Sequence, residues 1–219
     1  MKSQSTKSEA VRPRVLGLNA DRIATAALDI LDRDGLKALS ARRLANDLGC
    51  EAMSLYSHIA SMDAVYDLVV DRLLSTLPTA VGLPDPRQAI RVEALEFLSM
   101  AETHPHAFGL VATRRWRTPV ALAFAKRLVS RLIETGLSPR ASLRHARIIG
   151  VFLNGAGLGL ASWRLIPGET ESKSWQMIIP NQVSDAQSVR ADLIVGLDAI
   201  LDALGKEVVD TGRKTQSIT

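Results

Sequence analysis

A chain of 219 residues that is 47% hydrophobic can bury a sizeable core, and its single cysteine excludes an internal disulfide. Aromatic residues are scarce while alanine, leucine and arginine are common, a composition that suits helices throughout. No apolar run follows the basic N-terminal residues, so secretion is not indicated and the cytoplasm is the expected compartment. The net charge of +4 conceals an uneven distribution.

Residues 1–17 are expected to form a flexible basic arm. Its Lys2, Lys7, Arg12 and Arg14 fit two roles equally, tracking DNA phosphates or a minor groove, and solubilising the chain. Asn19 is then a natural cap for a helix through about Asp34, whose buried stripe is Ile23, Ala27, Ile30 and Leu31 and whose end is Gly35. The next segment, SARRLANDLGCEAMSLYSH, starts at Ser40, another cap, carries Leu44, Ala45 and Leu48 on one face, and stops at Gly49. After Cys50 and Glu51 a second short helix turns Leu55 and Ile59 inward and leaves Ala52, Met53, Ser54, Ser57 and His58 outside. Two short helices about a glycine turn form a helix-turn-helix, whose second helix enters the major groove of DNA. A fourth helix, capped by Ser61, has Val65, Leu68, Val69 and Leu73 as its apolar face.

The run from Leu18 to Leu74 resembles the DNA-binding domain of the TetR family of bacterial transcriptional regulators, nearest in pattern to the tetracycline repressor type. The resemblance is carried by a first helix rich in alanine and leucine that ends in glycine. It is carried also by the core Ser40, Arg42, Leu44, Ala45, Leu48 and Gly49, and by Leu55, Tyr56 and His58 closing the recognition helix. It implies an all-α fold: an N-terminal three-helix helix-turn-helix domain over residues 18–78, and a helical ligand-binding and dimerisation domain over 79–210, before a disordered tail at 211–219. It also implies that Arg42 reads a base, a role its guanidinium can fill by donating two hydrogen bonds to guanine O6 and N7. Ser40, Ser54, Tyr56 and His58 are the right types to bind phosphate oxygens. Met53 and Ser57 suit a thymine methyl or a base edge and suit a plain surface equally. One position departs from the family: where most members have a phosphate-gripping lysine at the start of the fourth helix, this chain has Met62 beside Ser61.

Between residues 17 and 76, six basic residues face nine acidic ones, so affinity for DNA must come from local placement rather than from net charge. The segment TAVGLPDP, with Pro84 and Pro86, reads as a linker. Helices are expected at about 87–103, 106–113, 119–135, 139–164 and 184–204, with Gly136 closing the third and Ser138-Pro139 opening the fourth. The most apolar stretch, 148–163, is shorter than the ~20 residues of a membrane span and holds Asn154, which makes it a buried helix and the protein one without a membrane partner. Residues 167–183 read as a polar excursion.

In the second domain, Phe97, Met100, Phe108, Leu110, Trp116, Phe124 and Phe152 are the right residues for an apolar cavity, with Arg114 beside them, and plain core packing is the competing reading for each. The family resemblance implies a four-helix dimer interface; its apolar contacts would come from Ile149, Leu153 and Leu160 with Leu193, Leu197, Ile200, Leu201 and Leu204. From Arg114 to Arg147 there are nine basic residues and one acid, Glu134, a bias fitted to an anionic effector or simply to a solvated face. Thr113-Arg114 matches a pair in tetracycline repressors, but Leu110 stands where those proteins have a drug-binding histidine, so an antibiotic-magnesium inducer is not implied. His104-Pro105-His106 lacks the carboxylates or cysteines of a metal site, and no set of catalytic residues can be assembled; neither cofactor, metal nor enzymatic activity is expected. The expected function is a homodimeric regulator, most often a repressor in this family, that binds a palindromic double-stranded operator and is released by an unknown small-molecule effector. The alternatives are a helical ligand-binding or scaffold protein that does not select DNA, and an enzyme using Cys50 or His104. Replacing Arg42 separates the first from the second.

Overall fold

The computed structural model describes residues 17–165 and 185–216; the basic arm and the excursion at 167–183 lie outside them. Among the described residues there are nine α-helices, one 3-10 turn (Leu36–Ala38) and no strand. In chain order the helices are α1 (Ala20–Asp34), α2 (Ala41–Leu48), α3 (Ala52–Tyr56), α4 (Met62–Thr76), α5 (Pro86–Thr103), α6 (Pro105–Thr113), α7 (Pro119–Glu134), α8 (Pro139–Leu165) and α9 (Ala186–Gln216). The last helix runs beyond its expected end at Leu204 and into the segment assigned to the tail.

Local chemistry sets the boundaries. The Asn19 side chain accepts from the Arg22 amide at 2.9 Å, and the Ser40 and Ser61 hydroxyls accept from the Arg43 and Ala64 amides at 3.3 Å, so each helix start meets one of its orphan donors. Pro86, Pro105, Pro119 and Pro139 each open a helix, where the missing N–H costs nothing and φ is already helical. Gly49 ends α2 with φ 69° and ψ 29°, and the following amide of Cys50 reaches back to the Ala45 carbonyl at 2.9 Å. Only a residue without a Cβ takes that left-handed turn at little cost.

The first three helices enclose Ile23, Ile30, Leu31, Leu44 and Leu55, all fully buried. The expected stripe of α1 is the observed one, with Ala24 and Leu28 added. α4 then continues this core into the second domain: Leu73 and Leu74 on it join Leu77, Ile90 and Phe97 in one contiguous cluster. α8 is the hub of the second domain, packing against α5, α6, α7 and α9. Ion pairs fasten α9 to α5. Arg91 grips Asp198 with two hydrogen bonds at 2.6 and 3.1 Å, which holds the Asp198 carboxyl below its ordinary value, and Arg190 pairs with Glu102 while also donating to Ser99 at 3.1 Å.

Candidate nucleic-acid interface and effector cavity

The recognition element is shorter than its sequence suggests. α3 holds five residues, and Ser57 and His58 lie in the turn after it, where the His58 amide bonds the Leu55 carbonyl at 2.9 Å. Leu55 and Ile59 are buried as expected and fix the element on α2. Met53 is 79% exposed and Tyr56 46%, and Ser54, Ser57 and His58 also face outward. The Ser57 hydroxyl is already spent on the Ser54 carbonyl at 2.6 Å, so it has only its acceptor lone pairs to offer a ligand. Ser40 likewise lends its oxygen to the α2 cap while remaining exposed.

Two adjacent arginines on α2 have different situations. Arg43 donates to Asp47 at 3.1 Å and to Asp34 at 3.0 Å, and Arg33 bonds the same two carboxylates at 3.3 and 3.0 Å. This four-residue cluster ties the end of α1 to α2. Arg42 is exposed and has no ion pair or hydrogen bond among the described residues. Its five donors are therefore uncommitted among the described residues.

The acid excess of the first domain is largely absorbed elsewhere. Asp63 and Asp67 on α4 receive Arg114 from the segment after α6, with Nη1 to Asp63 Oδ1 at 3.1 Å and Nη2 to Asp67 Oδ1 at 3.1 Å. Arg117 adds a bond to the other Asp67 oxygen at 3.3 Å, Thr118 bonds Asp71, and the Arg114 guanidinium lies 5.3 Å from the centre of the Tyr66 ring. Burial is the largest single influence on the Arg114 guanidinium and lowers its pKa, but Asp67 and Asp63 together outweigh it and raise the pKa above its ordinary value. At the other junction His104 Nδ1 is 2.8 Å from Asp32 Oδ2, which joins α1 to the start of α6. Among the described residues no group of three or more metal-binding side chains assembles. Asp21 pairs with Arg72 at 2.7 Å. The acids of the first domain thus brace its helices and bind them to the second domain.

A cavity of about 300 Å³ lies between α5, α6, α7 and α8. Four of the expected residues line it: Phe97, Arg114, Trp116 and Phe124. Phe97 stacks on Phe124 at 5.9 Å between ring centres, and Trp116 meets Phe124 edge-on at 5.6 Å. The other four do not line it. Met100 and Leu110 are core, Phe108 is fully buried with its ring over Gly157, and Phe152 faces Gly196 on α9. The remainder of the wall comes from Arg147, the end of the basic stretch, and from residues whose part in it the sequence did not suggest, among them Val111, Leu128, Val129, Leu143, Ala146, Gly150 and Asn154. Their signal was spacing: on α8 the cavity residues recur at 143, 146, 147, 150, 153 and 154, one helical face.

The residues expected at the dimer interface are mostly interior. Ile149, Leu160, Leu197 and Leu204 are at most 1% exposed within the single chain, Leu153 and Leu201 are buried, and Leu193 and Ile200 pack on the core from its edge. The apolar stripe of α8 through Ile149, Leu153 and Leu160 thus faces its own core. The exposed stripe is offset from it: Ile148, Val151, Gly155, Leu158 and Gly159 on α8, and Ala191, Val195 and Ala199 on α9.

No family model matches the chain. It is similar to an HTH-type transcriptional regulator of Saccharopolyspora erythraea, 33% identical over 149 residues, which are 67% of this chain and 63% of that protein. It is similar also to the HTH-type transcriptional repressor DrrR1 of Streptomyces coeruleorubidus, 28% identical over 168 residues, 74% of this chain and 62% of the relative. The chain therefore spans just under two thirds of the length of these curated relatives. Among solved structures its fold is that of the Streptomyces coelicolor TetR family protein ActR in complex with actinorhodin, with a TM-score of 0.71 and 23% identity over 85% of this chain and 95% of that chain.

Proposed function

The chain belongs to the TetR family of bacterial transcriptional regulators, and from that premise we propose that it is a cytoplasmic, homodimeric DNA-binding repressor that a small molecule releases from its operator. The observation that carries this reading is the exposed surface of Arg42, Met53, Ser54, Tyr56 and His58. On it Arg42 keeps every donor free among the described residues while its neighbour Arg43 is tied down. A surface with one uncommitted arginine and several short polar side chains suits a groove, in which phosphate contacts position the helix and one guanidinium reads a base. The chain acts in this reading by binding and not by catalysis.

Dimerisation supplies the second recognition element. The stripe through Val151 and Val195, 75% and 68% exposed, leaves apolar surface that a second copy would bury, and Gly155 and Gly159 let a helix approach closely. This also accounts for α8, which by length and composition alone is apolar enough to cross a membrane. Release uses Arg114, which both lines the cavity and binds Asp63 and Asp67 on α4. A ligand that displaces Arg114 alters the seat of α4 and with it the separation of the two heads. DrrR1 is a repressor by name and ActR is seen with actinorhodin, which is consistent with both halves of the proposal.

Selection of genomic fragments by the purified protein tests it. The expected result is a recurring palindrome whose half-sites are centred about one DNA turn, ~34 Å, apart. If no sequence recurs among the bound fragments, the chain is a helical ligand-binding protein and the regulator reading is wrong.

A further inference from the structure

Resting on the reading of the second domain as an effector site, we propose that the cavity takes an acidic aromatic molecule whose anionic group is held by Arg147. The chemistry of the walls leads there. Among the described residues no aspartate or glutamate lines the cavity, and its polar side chains are Arg114, Arg147 and Asn154. The charge of Arg114 is already met by Asp63 and Asp67 on α4, each within 3.1 Å. Arg147 has no ion pair or hydrogen bond among the described residues, so it is the uncompensated cation of the site.

Asn154 lies seven residues further along α8, two helical turns away on the same cavity-lining face, and it too has no hydrogen-bond partner among the described residues. A cation and an amide in line on one helix match a ligand with an anion near one end and a second polar group about 10 Å along its length. Elsewhere the wall is aromatic. Phe97, Phe124 and Trp116 adjoin one another, and Trp116 has given its indole N–H to the Val111 carbonyl at 3.0 Å, so that it offers the cavity an apolar ring. Such a wall favours a flat unsaturated body, through burial and ring-to-ring contact. A ligand carboxylate beside this wall gains more from Arg147 than a neutral amide does, because it adds the attraction of a full negative charge and can accept from the guanidinium through two oxygens rather than one.

The test compares 2-naphthoate with 2-naphthamide, which share the ring and differ in charge, by isothermal titration calorimetry on the full chain at neutral pH and low salt. We expect the carboxylate to bind at least about tenfold more tightly. Arg147→Gln should bring the two probes to within about threefold, and an unchanged melting temperature shows that the variant is folded. Phe124→Ala should weaken both probes alike. Equal affinities in the unaltered chain, binding of neither probe, or a preference that survives Arg147→Gln each overturns the proposal. The measurement contains no DNA, so its outcome is independent of whether the chain selects an operator.

Discussion

Arg42 and Arg43 are adjacent in sequence and differ in their partners: Arg43 is held by two carboxylates and Arg42 by none among the described residues. Arg43 and its carboxylate partners Asp34 and Asp47 are 31–43% exposed at the side chain, a setting in which ion pairs contribute modestly. Arg43→Ala should therefore lower the melting temperature by only about 1–3 °C and leave base preference intact. Arg42→Ala should do the reverse, weakening binding to a selected operator by about 1–3 kcal/mol at an unchanged melting temperature. Anisotropy titrations and thermal melts of both variants check the pair; an Arg43 variant that loses selectivity while Arg42→Ala keeps it would refute the assignment. The sequence singles out Arg42 through its place in the Ser40–Gly49 core. It cannot show that Arg42 is unpaired, because the acids that occupy the other cations come from distant positions: Asp34 lies nine residues from Arg43, and Asp67 lies 47 from Arg114. An acid excess counted along the chain therefore looks unfavourable for DNA binding, and in three dimensions it is mostly bracing.

At the scale of the helix, α8 shows how far periodicity reaches. Spacing identifies an apolar helix and its small residues, but α8 is apolar on more than one side, and nothing local tells which stripe meets its own core. The glycines divide accordingly. Gly155 and Gly159 face open space, whereas a Cβ at Gly157 would sit 2.3 Å from the Phe108 ring. Phe108 is fully buried and has no room to withdraw, which is the reason for the glycine. Gly157→Ala gains helix propensity worth at most ~1 kcal/mol and overpacks the core at a cost of about 1–3 kcal/mol, so it should destabilise the chain. Chemical denaturation of Gly157→Ala, and of the same variant carrying Phe108→Leu, measures this. The second change should restore part of the loss, and a Gly157→Ala chain as stable as the original would mean that Phe108 does not pack there. The caps at Asn19, Ser40 and Ser61 and the proline starts at Pro119 and Pro139 were legible because they are local chemistry, whereas Pro86 and Pro105 open helices one residue before their expected starts. The cavity was half legible, since its aromatic residues can be named by type but its aliphatic and polar wall only by which face of α7 and α8 turns inward.

For the molecule as a whole, the proposed regulator needs two surfaces to convert ligand binding into a change at DNA. One is the exposed stripe through Val151 and Val195: Val151→Asp places a charge where a second copy would pack, and sedimentation should find the variant monomeric and unable to hold a two-half-site operator. A dimer that persists in that variant would move the interface elsewhere. The other surface is the junction at α4, where Asp67 alone receives Arg114 through two guanidinium nitrogens and Arg117 through a third contact. Both Asp67 and Arg114 are about one fifth exposed, so water competes less for these bonds than for those around Arg43. Asp67→Ala removes all three at once and leaves Arg114 facing Asp63 alone. Taking about 2 kcal/mol for the net loss of a charge-assisted set, local opening of α4 should become roughly 30-fold more frequent. Amide hydrogen exchange reads this directly, with faster exchange expected along 62–76 and little change in α8. Because the interior face of α4 stays packed through Val69, Leu73 and Leu74, the helix should remain formed while its seat loosens. Unchanged exchange along α4 would show that apolar packing alone sets its position, and Arg114 would then lose its role as the link between cavity and head.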